Sequence, residues 1–267
     1  MRLPAEAECA KHPTLNMLRN NDIKGFFSPK KYKNKPFLSR RRINYALELL
    51  KNHLSPDKSI TIADFACGSA NFGLQLFEEG YNVDLIDNEA LHFDYIKMKT
   101  EANDRLRFFT SDLNTFESER KYHAIFLGEA IEHMEDPEAT LQILRSHLLT
   151  GGLLCLTTPN GDFVNGTEPK WHEVKHDKER NKKLANNIGN HVCEFGFDEL
   201  AKLIKEAGFG MLEHKLVNSD QVSRKSLMRR ILPESLLWNL DGKWSKSKTN
   251  EGKYWGRIQI VVAQRFH

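Results

Sequence analysis

The sequence predicts an α/β fold in which helices cover both faces of a mainly parallel sheet. Short β-branched or apolar runs alternate with amphipathic stretches of helical period between residues 60 and 157, and this alternation is typical of parallel strands joined by crossover helices. The chain has 267 residues, of which 40% are hydrophobic, enough to build the core of one such domain. We therefore expect ligands to bind where the parallel strands end.

Seven segments have strand character, because they are rich in β-branched and aromatic residues and are bounded by turn-forming residues. The predicted strands are residues 60–64, 82–87, 106–110, 122–127, 153–157, 211–215 and 257–263.

Capping residues predict where several helices begin. Ser39 is expected to cap the helix that precedes the first strand. Asp136 followed by Pro137 is typical of a helix start, and the apolar face of that helix is expected to reach Leu148. Asp198 is expected to cap a later helix, which Gly208 ends.

Charge and patterning divide the chain into a basic N-terminal segment, residues 1–38, and one domain over residues 39–267. The N-terminal segment is expected to be irregular. Residues 24–42 carry eight lysines and arginines and no acidic residue. Long connections at residues 160–196 and 217–256 are expected to be lid-like insertions, since such insertions commonly form ligand pockets at the end of a sheet.

The basic run also suggests a partner. Arg40, Arg41 and Arg42 fall in the first turn of the expected helix, where the helix dipole disfavours cations. Cationic residues kept at an unfavourable position indicate a partner of opposite charge, so we expect this end of the helix to meet an anionic acceptor. The net charge of +3 is too small to predict a nucleic-acid partner by itself.

Composition argues against several other classes of protein. The cysteines contain no C-x-x-C pair, which argues against a zinc cluster or a disulfide framework. No apolar run approaches the roughly 20 residues of a membrane span, and the first residues lack the apolar segment of a secretory signal. The expected location is therefore the cytoplasm.

The loop after the first strand is the strongest candidate for a cofactor site. Asp64 is followed by small residues at Ala66 and Gly68, which let a ligand approach the backbone. Asp87 ends the second strand and is placed to accept hydrogen bonds from ribose hydroxyls. Asp112 follows the third strand, in a position suited to an adenine amino group. The G-x-G-x-x-G pattern of nicotinamide-binding proteins is absent.

Residues 64–70 resemble the D-x-G-x-G-x-G loop of the Rossmann-like S-adenosylmethionine-dependent methyltransferase superfamily, with alanines at two glycine positions. The resemblance extends over residues 40–216 and the last strand. It implies a seven-stranded sheet whose last strand is antiparallel. It also implies that S-adenosylmethionine lies in a crevice lined by Asp64, Ala66, Gly68, Asp87, Asp112 and Gly128.

A second motif follows the fourth strand. The segment from Glu129 to Pro137 reads E-x-x-E-H-x-x-D-P and resembles a subgroup that includes ubiquinone-biosynthesis O-methyltransferases and bacterial sugar and glycan methyltransferases. In the ubiquinone enzymes and in RNA 3′-end 2′-O-methyltransferases, the pattern is associated with metal. The RNA enzymes add a histidine in a setting similar to that of His191.

On one helical turn, Glu129, Glu132 and His133 would share a face. Three interpretations stay open. The residues could shape the turn alone. They could bind magnesium or manganese together with His191. Alternatively, His133 could act as the catalytic base, with Glu129 as the second catalytic residue.

The sequence thus favours a methyltransferase that uses S-adenosylmethionine and modifies oxygen or nitrogen of a small molecule or glycan precursor. One alternative is a metal-dependent RNA 3′-end 2′-O-methyltransferase, which the lack of a recognised RNA-binding module opposes. Another is a non-catalytic, cofactor-binding scaffold. The acceptor, the atom methylated, the oligomeric state and the pathway are not specified by the sequence.

Overall fold

Seven strands form a single mixed sheet. The computed structural model describes residues 2–23, 35–101, 103–187, 189–219 and 231–266. The strands are β1 Thr61–Phe65, β2 Asn82–Asp87, β3 Leu106–Thr110, β4 Tyr122–Gly128, β5 Leu148–Pro159, β6 Phe209–Ser219 and β7 Gly256–Arg265. Their order is β3-β2-β1-β4-β5-β7-β6. All pairs from β3 to β5 are parallel, whereas β7 runs antiparallel to both β5 and β6.

Helices pack on both faces of this sheet. They are α1 Glu6–Cys9, α2 Pro13–Asp22, α3 Lys35–Lys51, α4 Gly73–Glu78, α5 Ala90–Lys99, α6 Pro137–His147, α7 Trp171–Val174, α8 Lys178–Ala185, α9 Phe197–Glu206 and α10 Glu234–Ser245. Two large apolar clusters divide the core between the faces. One contains α3 and α4 residues, and the other contains α6 and α9 residues. The predicted Rossmann-like fold with an antiparallel last strand is confirmed.

The N-terminal segment differs from the prediction of irregular structure. Helices α1 and α2 lie within residues 1–38, and their apolar side chains pack against Tyr95 of α5. Helix α3 already begins at Lys35, so Ser39 lies inside the helix and does not cap it. The first part of the basic run, residues 24–34, lies outside the described residues.

Three other element boundaries also differ. Leu148 is the first residue of β5 and does not extend α6. The pairing of β5 with β4 has an irregular register near Tyr122, and Gly151 in the same part of β5 has a left-handed backbone. Gly196, not Asp198, is the N-cap of α9, and Asp198 lies in its first turn. Strand β6 continues to Ser219 and so includes the start of the expected insertion at 217–256.

The middle of that insertion is joined to the rest of the domain by a buried ion pair. Nε of Arg41 in α3 lies 2.9 Å from Oδ2 of Asp241 in α10, and both side chains are almost fully buried. Asp241 also accepts hydrogen bonds from the backbone N–H groups of Asn218 and Ser219. Within the described ranges, no helix has the length and apolarity needed to cross a membrane.

Candidate active site

The loop between β1 and α4 requires a left-handed backbone at alternate positions. The φ angles are +51° at Ala66, +52° at Gly68 and +52° at Ala70. Only glycine adopts this conformation without strain, and an alanine there costs about 1–2 kcal/mol. The two alanines therefore keep the shape of a glycine loop at an energetic cost.

Asp64 holds the start of α4 beneath this loop. The N–H of Gly73 donates a 2.9 Å hydrogen bond to Oδ2 of the buried Asp64 carboxyl. Burial raises the pKa of Asp64 to about 8, although the Gly73 hydrogen bond acts in the opposite direction. A cation bound nearby would therefore favour ionisation of this carboxyl.

Asp87 at the end of β2 fixes the other side of the loop. Its Oδ2 accepts a 2.8 Å hydrogen bond from the N–H of Gly68, and its Oδ1 accepts one of 3.0 Å from the N–H of Glu89. Burial opposes ionisation of Asp87, but His92 and these N–H groups outweigh it and lower the pKa. The carboxylate is thus charged and oriented at the edge of the loop.

A first cavity of about 220 Å³ opens beside the loop. Three of the predicted cofactor residues line it, namely Asp64, Ala66 and Gly128. Gly68, Asp87 and Asp112 are not among its lining residues, so their predicted contacts with the adenosine end of the cofactor stay predictions. Asp112 is exposed and caps the short 3-10 turn Leu113–Thr115.

Residues that the sequence analysis did not assign to the cofactor site also line the first cavity. Asn21 and Asp22 come from α2, and Arg42 and Ile43 come from α3. Gly128 is needed at the cavity wall, because a Cβ atom there would lie 2.5 Å from the ring of Phe126. Helices α2 and α3, which precede the first strand, therefore form part of the wall of the first cavity.

The E-x-x-E-H segment forms a second group of side chains beyond β4. Oε2 of Glu132 accepts a 2.9 Å hydrogen bond from Oγ1 of Thr158. Burial, followed by repulsion from Glu129, raises the pKa of Glu132 to about 8. A buried carboxyl of this kind is ionised readily only when a cation lies beside it.

Two histidines complete the group. Nδ1 of His133 lies 2.6 Å from the carbonyl oxygen of Asn190, and since a carbonyl only accepts, Nδ1 carries the proton and Nε2 has the free lone pair. Burial lowers the pKa of His133. His191 packs edge-to-face on His133, and hydrogen bonding to Glu194 raises the pKa of His191.

Three of the four predicted metal ligands come together. Ligand atoms of Glu132, His133 and His191 all lie within 4.8 Å of one another. One carboxylate oxygen and two imidazole nitrogens are a donor set that suits a divalent cation such as manganese. Glu129 is held apart from them, because its Oε2 lies 2.8 Å from Nη1 of Arg42.

A second cavity, of about 400 Å³, surrounds this group. Its wall includes Glu129, Glu132, His133 and His191, and Arg257 also lines it. Gly128 lines the first cavity and the next residue, Glu129, lines the second, so the two cavities lie side by side at the end of β4.

Comparisons with known proteins show the family to which the chain belongs. A family model described as a methyltransferase domain matches residues 37–214. The ubiquinone biosynthesis O-methyltransferase of Rickettsia bellii (strain OSU 85-389) is 27% identical over 120 residues, which are 45% of this chain and 50% of the relative. The same enzyme of Rickettsia typhi is 25% identical over 120 residues, 45% of this chain and 49% of the relative. The chain spans about half the length of the curated relatives it matches.

Solved structures show the same fold. The N-methyltransferase NodS of Bradyrhizobium japonicum WM9 has a TM-score of 0.53 at 12% identity, covering 87% of this chain and 98% of NodS. The cyclase SpnF has a TM-score of 0.61 at 14% identity, covering 95% of this chain and 92% of SpnF. Since a cyclase shares the architecture, the fold alone does not specify the reaction.

Proposed function

The chain belongs to the methyltransferase-domain family, and from this premise we propose that it transfers a methyl group from S-adenosylmethionine to a hydroxyl oxygen of a small-molecule or glycan-precursor acceptor. The observation that carries the proposal is that two cavities lie side by side at the consecutive residues Gly128 and Glu129. A donor in the first cavity would face an acceptor in the second. Methyl transfer is an in-line displacement, so this placement of the two reactants supplies much of the catalysis.

In the first cavity, side chains of opposite charge are available for both charged groups of the methionine part of the cofactor. The Arg42 guanidinium suits the carboxylate, and the Asp64 carboxyl suits the ammonium group. The backbone at Ala66 is open to close approach. Asp87 and Asp112 would contact the ribose and the adenine beyond the cavity.

In the second cavity, the acceptor hydroxyl must lose a proton. Glu132, His133 and His191 would hold magnesium or manganese, which as a Lewis acid lowers the pKa of a bound hydroxyl. Nδ1 of His133 donates its proton to the carbonyl oxygen of Asn190, so Nε2 keeps a free lone pair. That lone pair can either coordinate a metal ion or accept a proton as a base. Either role places His133 next to the reacting oxygen.

One residue of the second cavity, Arg257, suits an anionic group on the acceptor, and it is not among the three arginines that the sequence suggested. Arg41 and Arg42 already pair with Asp241 and Glu129 inside the chain. Arg257 lines the second cavity and pairs with no acidic side chain in the part of the chain that the structure describes. We therefore place the anionic group of the acceptor at Arg257, which also lies over the ring of Phe163 at 5.4 Å.

Methyl-labelled S-adenosylmethionine tests the proposal. The protein is incubated with cell extract separated into small-molecule, glycan and RNA fractions, with manganese or with EDTA. We expect label in the small-molecule or glycan fraction, no label in EDTA, and recovery when manganese is restored. Label in the RNA fraction would favour an RNA 3′-end methyltransferase. Binding of the cofactor without transfer to any fraction would favour a non-catalytic scaffold.

A further inference from the structure

One ion pair connects the two cavities. Nη1 of Arg42 lies 2.8 Å from Oε2 of Glu129, and the side chains are 23% and 24% exposed. Arg42 lines the first cavity, whereas Glu129 lines the second. A ligand that enters either cavity therefore meets one member of the pair directly.

Each member of the pair also has an unused polar atom. Nε of Arg42 and Oε1 of Glu129 are shielded from solvent and have no hydrogen-bond partner among the described residues. Buried polar atoms are nearly always hydrogen-bonded, and leaving them without a partner is unfavourable. The pair therefore leaves both side chains incompletely satisfied, and each can gain hydrogen bonds or coordination when a ligand replaces its partner.

The backbone at Glu129 fixes where its side chain starts. Its φ angle is +52°, and its N–H donates a 2.8 Å hydrogen bond to the carbonyl oxygen of Thr157. Strained left-handed residues of this kind persist only where the surrounding structure holds them, and they are concentrated at functional sites. Glu129 and Glu132 line the same cavity, so the movement that the coupling requires is a rotation of the Glu129 side chain on a fixed backbone.

We infer that the Arg42–Glu129 pair couples the two cavities, an inference that rests on the proposed function. The carboxylate of the cofactor takes the place of Glu129 on Arg42, and the released Glu129 becomes a fourth protein ligand of the cation held by Glu132, His133 and His191. The ion pair has to be broken only once. The first ligand to bind therefore bears that cost, and the second binds more tightly.

Manganese binding, followed by the electron paramagnetic resonance signal of the free ion, tests this coupling directly. S-adenosylhomocysteine should tighten manganese binding at least fivefold, the lower end of typical coupling between sites. Manganese should tighten S-adenosylhomocysteine binding by the same factor. Decarboxylated S-adenosylmethionine keeps the adenosine and the amine but lacks the carboxylate, so it should bind without tightening manganese.

Two substitutions remove the coupling in different ways. Arg42→Gln frees Glu129 permanently, so manganese should bind as tightly without S-adenosylhomocysteine as it does to the unaltered protein with it. Glu129→Gln should leave manganese binding weak in both conditions. Arg40→Gln is the matched control, because Arg40 is in the same helix but lines neither cavity, and it should keep the full coupling.

The outcomes separate the coupling from the function on which it rests. If manganese and S-adenosylhomocysteine both bind but do so independently in the unaltered protein, the coupling is wrong and the proposed function stands. If manganese does not bind, the coupling is wrong, while methyl transfer with His133 as the base still stands. If S-adenosylhomocysteine does not bind, both proposals are wrong. If Arg42→Gln keeps the tightening by S-adenosylhomocysteine, another element transmits it and the assignment to this ion pair is overturned.

Discussion

Nζ of Lys99 lies 2.8 Å from Oδ2 of Asp22, and both side chains are buried, with exposures of 0% and 1%. The same nitrogen donates to the carbonyl oxygen of Ser69 and to Oδ1 of Asn71, both in the cofactor loop. The hydroxyl of Tyr95 donates a further hydrogen bond to Asp22. Lys99 therefore ties helix α2 to the loop after β1, and residues of both segments line the first cavity.

Replacing Lys99 should destabilise the protein strongly. Lys99→Met leaves the Asp22 carboxylate buried without its cation, and breaking a buried pair in this way costs about 3–5 kcal/mol. Urea unfolding should show that loss, and S-adenosylhomocysteine should bind more weakly because the loop is no longer held. Lys97→Met is the matched control, since Lys97 is exposed and only weakly paired with Asp94. Equal losses in the two variants would contradict the role given to Lys99.

The two alanines of the cofactor loop should respond differently to replacement by glycine. Ala66 is exposed, so Ala66→Gly relieves backbone strain without loss of packing and should raise the free energy of unfolding by about 0.5–1 kcal/mol. Ala70 is buried, and Ala70→Gly also removes a packed methyl group worth about 0.8 kcal/mol, so its net effect should be close to zero or unfavourable. Thermal and urea unfolding measure the free energy of unfolding of both variants. Stabilisation of similar size in the two variants would contradict this account.

The left-handed loop after β1 could be predicted from sequence because its signals are local. A β-branched run, a series of small residues and an acidic residue at the end of the next strand all lie within residues 60–87. Arg42 and Asp22 could not be assigned to the cavity, because their segments reach it only through tertiary packing. Lys99 could not be distinguished from an ordinary surface lysine, since nothing in the helical pattern marks its burial.

The structure brings together only some of the side chains of the E-x-x-E-H segment, for a physical reason. Helical spacing would place all of its side chains on one face. Glu129, however, has a left-handed backbone, and only Ile131–His133 forms a short 3-10 turn. The carboxylate of Glu129 therefore points to Arg42, while Glu132 and His133 meet His191 as predicted.

Cofactor binding should release a proton from Asp64. Burial raises the pKa of this carboxyl to about 8, so it is mostly protonated at pH 7 in the free protein. The positive charge of the cofactor favours the ionised form, so binding at pH 7 should release up to about one proton. Above the raised pKa the carboxyl is already ionised and the release should disappear.

Calorimetry in two buffers of different ionisation enthalpy measures this release. Asp64→Asn keeps a side chain of similar size but cannot ionise, so its binding enthalpy should not depend on the buffer. A buffer-dependent enthalpy that persists in the variant would assign the proton to another group.

Turnover should depend on His133, which lines the second cavity, and not on His176. His176 is exposed and does not line the cavity, so His176→Ala is the matched control. His133→Ala should lower turnover by about 10²–10⁴, the range expected when a proton acceptor is lost, while His176→Ala leaves turnover unchanged. Affinity for S-adenosylhomocysteine, measured without metal, should be unaffected in both.

Chelation then separates the two roles open to His133. If activity disappears in EDTA and returns with manganese, His133 acts as a metal ligand, and His191→Ala and Glu132→Gln should share its defect. If activity persists in EDTA but is lost in His133→Ala, Nε2 acts as the base, and the pH profile should show one group with a pKa below that of an ordinary histidine, because burial lowers it. Full activity of His133→Ala would contradict both roles and would leave His133 as a structural residue held by the carbonyl of Asn190.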